Sequence, residues 1–118
     1  MSYIFVQYPK CSTCQKAKKW LDAHHISYES RHIVEENPTK EEIAAWKEKS
    51  GLPLKKFFNT SGMLYREKNL KEKLPSMSEQ EQIDLLAENG MLVKRPILVL
   101  DHTVLVGFKE AQWDQELL

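Results

Sequence analysis

Tyr3-Ile4-Phe5-Val6-Gln7-Tyr8-Pro9-Lys10-Cys11-Ser12-Thr13-Cys14-Gln15-Lys16-Ala17 is the stretch from which the fold can be read. Its first half is rich in β-formers and predicts a largely buried strand, Tyr3 to Tyr8, stopped by Pro9. Its second half opens a helix. Ser12 can cap that helix, and Gln15 three residues later completes a capping-box pattern. Ala17, Trp20, Leu21 and His24 follow at helical spacing and give one face. The chain's two cysteines, Cys11 and Cys14, therefore sit at a strand-to-helix junction. That placement makes the first thiol a candidate nucleophile and the second its resolving partner.

Ile26 to Ile33 predicts a second strand, with Ile26, Tyr28 and His32 on one side. Glu35-Glu36-Asn37-Pro38 breaks the chain. Thr39 with Glu42 is a second capping box, opening a helix that carries Ile43 and Trp46 and ends at Gly51-Leu52-Pro53. Leu54, Phe57 and Phe58 suggest a helical turn, and Asn59-Thr60-Ser61-Gly62 a polar turn. Leu70 and Leu74 belong to a short helix. Ser78 with Glu81 is a third capping box, leading to Ile83, Leu86 and Ala87. Asn89-Gly90 is expected to end that helix with a residue tolerant of positive φ. Ile97 to Leu100 and Thr103 to Val106 then predict a hairpin turning at Asp101-His102, with Gly107 ending its return strand. Glu110 to Leu118 predicts a last helix with Trp113 and Leu117 on one face.

The order is β-α-β, a helical stretch of roughly fifty residues bounded by these caps, then β-β-α. Without the stretch it is the minimal thioredoxin-like order, a mixed four-stranded sheet flanked by helices. A Cys-x-x-Cys near a βαβ pattern belongs to this α/β class. The expected organisation is one domain, 1–118, with its core in 1–37 and 94–118 and a helical insertion at 38–93.

Composition narrows the function. A chain of 118 residues suits one domain. At that length it buries enough surface to need no staple of metal or disulfide. Seventeen Lys and Arg balance seventeen Asp and Glu, which argues against a globally basic nucleic-acid binder. No apolar run approaches the ~20 residues that span a bilayer. Met1 to Tyr8 lacks a charged n-region and a small-residue cleavage site, so no secretory signal is expected. The expected compartment is the cytoplasm, where two thiols rest reduced and a disulfide is transient.

A thiolate is the reactive form of cysteine, so the question is what stabilises the anion. Cys11 precedes the first helical turn, where unpaired N–H groups point outward. In a Cys-x-x-Cys motif such a position lowers a thiol pKa from about 8.5 to roughly 3.5–7.5. Lys10 and the Ser12 hydroxyl could assist, although Lys10 also reads as a solvated side chain. Cys14 would lie within the turn, more buried and less ionised. The expected cycle is attack by Cys11, a covalent adduct, then resolution by Cys14. A zinc site would need further ligands at usual spacing, and the four histidines are scattered. A pair of inert cysteines is the other alternative. It would require both to fall at a helix start by chance. Arg95-Pro96 is the second candidate site. It reads as an ordinary strand start. Its functional reading is a cis proline whose backbone faces the thiols, with Arg95 offering a guanidinium to an anionic substrate or thiolate.

At this point the motifs resemble those of the ArsC-like family, which includes arsenate reductases, the Spx regulators and small YffB-like and YusI-like thiol proteins. The carrying segments are Tyr8 to Ala17, Lys55 to Gly62, Tyr65-Arg66-Glu67, Lys94-Arg95-Pro96-Ile97 and Val106-Gly107-Phe108. The resemblance covers essentially the whole chain and is nearest the YusI-like members. It implies a thioredoxin-like fold with a helical insertion, Cys11 as nucleophile, a cis Pro96, and Arg95 assisting an anion. It implies two more arginines in arsenate reductases proper, one near Asn59 and one around Gly107. Neither is present, and each lost guanidinium removes charge-assisted hydrogen bonds of about 1.5–3 kcal/mol. That argues against efficient arsenate reduction. Spx regulators share the Cys-x-x-Cys switch and bind the RNA polymerase α subunit. Their pattern has an arginine where this chain has Thr60-Ser61, and a longer C-terminal tail.

The expectation is a thiol–disulfide oxidoreductase with Cys11, Cys14 and Arg95 as its chemical groups. Lys10, Ser12, Asn59 and Pro96 are the candidate substrate contacts. It would need no bound cofactor or metal, and an external donor, a glutathione-like thiol or a thioredoxin-type protein. Its partner would be a small thiol or a protein disulfide, with the polymerase α subunit as the alternative and neither nucleic acid nor membrane as a partner.

Overall fold

Alternation along four short strands sorts the core into two halves. The computed structural model describes residues 3–118, and Met1 and Ser2, where the expected core begins, lie outside the described residues. Strand β1 (Tyr3–Gln7) runs parallel to β2 (Tyr28–His32) and antiparallel to β3 (Ile97–Val99). Strand β4 (Val104–Val106) pairs antiparallel with β3, giving the order β2-β1-β3-β4. Successive side chains on a strand point to opposite faces. Phe5, Leu98 and Leu105 therefore share one face and Val6, Ile97 and Val104 the other.

The first face is covered by α1 (Ser12–Ala23) and α6 (Glu110–Leu117), through Ala17, Trp20, Leu21 and Trp113. The Trp20 and Trp113 rings meet edge-on at 5.8 Å, and the Trp113 indole N–H donates to the Gly107 carbonyl at 3.2 Å. The second face is covered by the segment between β2 and β3. Its elements include α2 (Lys40–Ser50), α3 (Met63–Glu67), α4 (Leu70–Lys73) and α5 (Glu79–Glu88). Short 3₁₀ turns at Leu54–Phe57, Leu74–Ser76 and Gly90–Leu92 link them. Ile43, Trp46, Phe57, Phe58 and Leu86 close this half of the core. With that segment set aside, the order is β-α-β followed by β-β-α, the thioredoxin-like arrangement.

Two of the three expected capping boxes form. Thr39 with Glu42, and Ser78 with Glu81, each exchange both hydrogen bonds. Gly51 ends α2 at φ 70°. The third box does not form. Cys11, not Ser12, is the N-cap of α1, and no side chain caps this end. The Gln15 amide instead donates to the Pro9 carbonyl at 3.0 Å, holding the loop before the helix.

Four other expectations are corrected. The second strand is shorter than Ile26 to Ile33, because Ile26 is taken up by a hydrogen bond to the Leu21 carbonyl that closes the end of α1. His24 is exposed and stacks on Trp20 rather than joining the buried face. Helix α3 was not expected, since its five residues are too few for a period to show. Asn89 and Gly90 do not end α5 with a positive φ. Asn89 is extended at φ −146°, and its side chain accepts the Met91 N–H at 2.9 Å. Gly90 is needed for a different reason. A Cβ there would lie 2.1 Å from the Ile33 carbonyl oxygen.

Candidate thiol site

Loop and helix together set the two thiols in different surroundings. The Cys11 N–H donates to the Tyr8 carbonyl at 2.9 Å, turning the chain sharply out of β1. Cys11 is partly exposed and Cys14, one helical turn on, is fully buried. Both are free thiols. Because the start of α1 has no side-chain cap, backbone N–H groups remain available to the Cys11 sulfur.

Burial pushes the Cys11 pKa up, but four groups together outweigh it and hold the thiol below its ordinary value. They are the Cys14 N–H, the Cys14 thiol, the Thr13 N–H and the Arg95 guanidinium. Each favours the anion, by hydrogen bonding or by positive charge. Cys14 goes the other way. Burial and the neighbouring Cys11 charge push its pKa up to about 12, against the opposing pull of the Tyr8 backbone and Arg95. At neutral pH the pair is therefore one thiolate-prone sulfur beside one protonated sulfur that donates to it.

Arg95 is held in place from two sides. Its guanidinium lies over the Tyr8 ring, 5.0 Å from the centroid, and donates to the Met91 carbonyl at 3.4 Å. The Arg95–Pro96 peptide bond is cis, and the Pro96 carbonyl accepts the Gly107 N–H at 2.7 Å. Replacing Arg95 by Met keeps the length of the side chain and removes its charge. The expected result is a rise in the Cys11 pKa and slower alkylation by iodoacetamide at pH 7. A pH–rate profile unchanged from the parent would show that Arg95 does not act on the sulfur.

A cavity of ≈ 520 Å³ opens in front of Cys11, and Asn59 and Arg95 line it with that thiol. Thr13, Ser61, Met91 and Lys94 complete much of its wall. Of the other expected contacts, Lys10 and Ser12 are exposed outside this wall, and Pro96 is buried and does not reach it. The wall is brought in by tertiary pairing. Asn59 N–H donates to the Leu92 carbonyl at 2.8 Å, and Lys94 N–H to the Phe57 carbonyl at 2.7 Å. Ser61 hydroxyl then reaches the Asn59 side-chain oxygen at 3.3 Å. Thr13, Ser61, Met91 and Lys94 are not among the site residues expected from the sequence. The signal for Thr13 was its place between the two cysteines, whereas nothing local marks Met91. Tyr8 was read as strand, and its part in seating Arg95 depends on a residue 87 positions away.

Among the described residues no group of three or more His, Cys, Asp or Glu side chains could hold a metal ion. No described helix is long and apolar enough to cross a membrane.

Fold and site together define a thioredoxin-like protein with a Cys-x-x-Cys pair at the start of its first helix. The ArsC family model matches residues 6–115, and the chain belongs to the ArsC family. It is similar to the YusI protein of Bacillus subtilis strain 168, with 60% identity over 98% of each chain. The global transcriptional regulator Spx of Staphylococcus epidermidis strain RP62A is 30% identical, over 86% of this chain and 76% of the regulator. A crystal structure of an ArsC family related protein from Bacteroides fragilis superposes with a TM-score of 0.95 and 60% identity. That match covers 98% of this chain and 97% of the other.

Proposed function

We propose that this protein is a cytoplasmic thiol–disulfide oxidoreductase. The observation that carries the reading is the asymmetry of the pair: Cys11 lies partly exposed at an uncapped helix start, where its thiolate is favoured, and Cys14 is fully buried one turn on and kept protonated. The Cys11 thiolate attacks a substrate disulfide. One sulfur of that disulfide leaves with the electron pair, and the other stays bonded to Cys11. Formation of this mixed disulfide removes the negative charge that helped to push the Cys14 pKa up. Cys14 then loses its proton and attacks Cys11, releasing the second substrate thiol and leaving a Cys11–Cys14 disulfide. An external thiol, of glutathione or thioredoxin type, returns the pair to the reduced state with its two electrons. Asn59 and Arg95 would bind the incoming group, and no cofactor or metal enters the cycle.

The direct test is steady-state reduction of a small disulfide and of a protein disulfide, with glutathione and with thioredoxin as donors. Turnover with either donor supports the reading, and none with both removes it. The likeness to a global transcriptional regulator favours a second reading, a redox sensor that binds the RNA polymerase α subunit. A pull-down with that subunit under oxidising and reducing conditions tests it, and binding in neither state ends it. Arsenate reduction is not expected. Position 107 is a buried glycine and position 59 an asparagine, so Arg95 is the one guanidinium on the cavity wall.

A further inference from the structure

A second groove adjoins the thiol cavity. It has a volume of ≈ 580 Å³ and shares Lys94 with the first cavity. Lys55, Lys56 and Lys109 line it beside Lys94, and no aspartate or glutamate lines either space. Among the described residues none of these lysines, nor Arg95, pairs with a carboxylate within 4 Å, although ion pairs form elsewhere on the surface. The chain is formally neutral, so five uncompensated cations around two joined spaces are a local segregation of charge. A concave surface of one sign raises the local concentration of its counter-ion and speeds its capture.

We propose that this groove binds the acidic flank of a polypeptide whose cysteine sulfur enters the thiol cavity. The inference rests on the thiol–disulfide reading above and names its substrate class. Three features fit such an occupant. Lys94 lines both spaces, so one molecule can extend from the front of Cys11 into the groove. Phe58 and Val106 give the groove an apolar floor for side-chain carbons between the charges. A nucleic acid would meet the charge but has no sulfur to bring to Cys11.

Two probes separate the groove from the chemistry. The first is a rhodamine-labelled decapeptide with four glutamates and no cysteine, followed by fluorescence anisotropy on the full chain. Saturable binding is expected. It should weaken at least tenfold between 20 mM and 500 mM salt, because exposed charges are screened beyond about one Debye length. It should weaken at least tenfold in the triple variant Lys55→Gln, Lys56→Gln, Lys109→Gln, with circular dichroism confirming that this variant folds. The second probe is the same peptide with a central cysteine joined to thionitrobenzoate by a disulfide, against a matched peptide with glutamine for glutamate. Attack by Cys11 on the peptide sulfur releases thionitrobenzoate with the electron pair, and the release is read by absorbance. The acidic peptide should react at least tenfold faster at low salt. Absence of binding overturns the proposal, as do equal, measurable rates of release from the two peptides or tighter binding of an oligothymidylate of equal charge. Binding without any thionitrobenzoate release would leave the groove standing and remove the thiol reading instead.

Discussion

Cys11→Ser is expected to abolish disulfide turnover, and Cys14→Ser to stop it one step later. The reasons differ. A serine hydroxyl is not ionised at neutral pH, whereas the Cys11 sulfur is surrounded by groups that favour its anion. The N–H groups, the Cys14 thiol and the guanidinium of Arg95 would then have no nucleophile to act on. Activity should fall to the uncatalysed rate. In Cys14→Ser the attacking thiolate remains, so the first substrate thiol is still released. The mixed disulfide on Cys11 then persists, because no second sulfur lies behind it in α1. Intact-protein mass spectrometry should show one substrate adduct per chain, removed by dithiothreitol. Full turnover by the Cys11 variant would overturn the mechanism. Full turnover by the Cys14 variant would show instead that an external thiol resolves the adduct.

Gly90→Ala is expected to destabilise the fold strongly, and to disturb the site with it. The new Cβ would meet the Ile33 carbonyl oxygen at 2.1 Å, the Ile33 carbonyl carbon at 2.8 Å and Asn37 Oδ1 at 2.9 Å. Two of these are backbone atoms at the end of β2 and cannot swing aside as a long side chain could. Asn37 is itself tied to the carbonyls of Leu86 and Ala87 at 3.3 and 3.1 Å. The backbone must shift, at a cost of about 3 kcal/mol, or roughly 10 °C in melting temperature for a domain of this size. Met91 follows Gly90 and accepts from Arg95, so the shift should also loosen the guanidinium beside Cys11. Thermal unfolding and the rate of Cys11 alkylation should therefore change together. A variant as stable as its parent would show that Gly90 does not make this close approach.

The parts of the protein that could be read from sequence are those fixed by neighbours in the chain. Cys11 and Cys14 lie at a strand-to-helix junction because Pro9 and the β-formers before it leave few other arrangements. The boxes at Thr39 and Ser78 need four consecutive residues each, and both form. The same pattern at Ser12 misled, since the helix begins one residue earlier in register and Gln15 has a better partner in Pro9. Asn89-Gly90 misled in another way. Glycine signalled a left-handed backbone, but the constraint is the closeness of Ile33, which no local pattern carries. The cavity wall was legible only at Cys11, Asn59 and Arg95. Thr13 is marked only by its place between the cysteines, and Ser61 and Met91 reach the cavity wall only because residues 57–59 pair with 92–94.

This fold favours the Cys11 thiolate while Cys14 stays protonated. The rate of iodoacetamide alkylation of each cysteine, followed by mass spectrometry from pH 4 to pH 10, tests it. Alkylation requires the thiolate, so each rate rises with pH and reaches half its plateau at that thiol's pKa. The half-rise for Cys11 is expected below that of a free cysteine thiol, with no reaction at Cys14 through the neutral range. A Cys11 half-rise at or above that of free cysteine, or Cys14 reacting first, would contradict it.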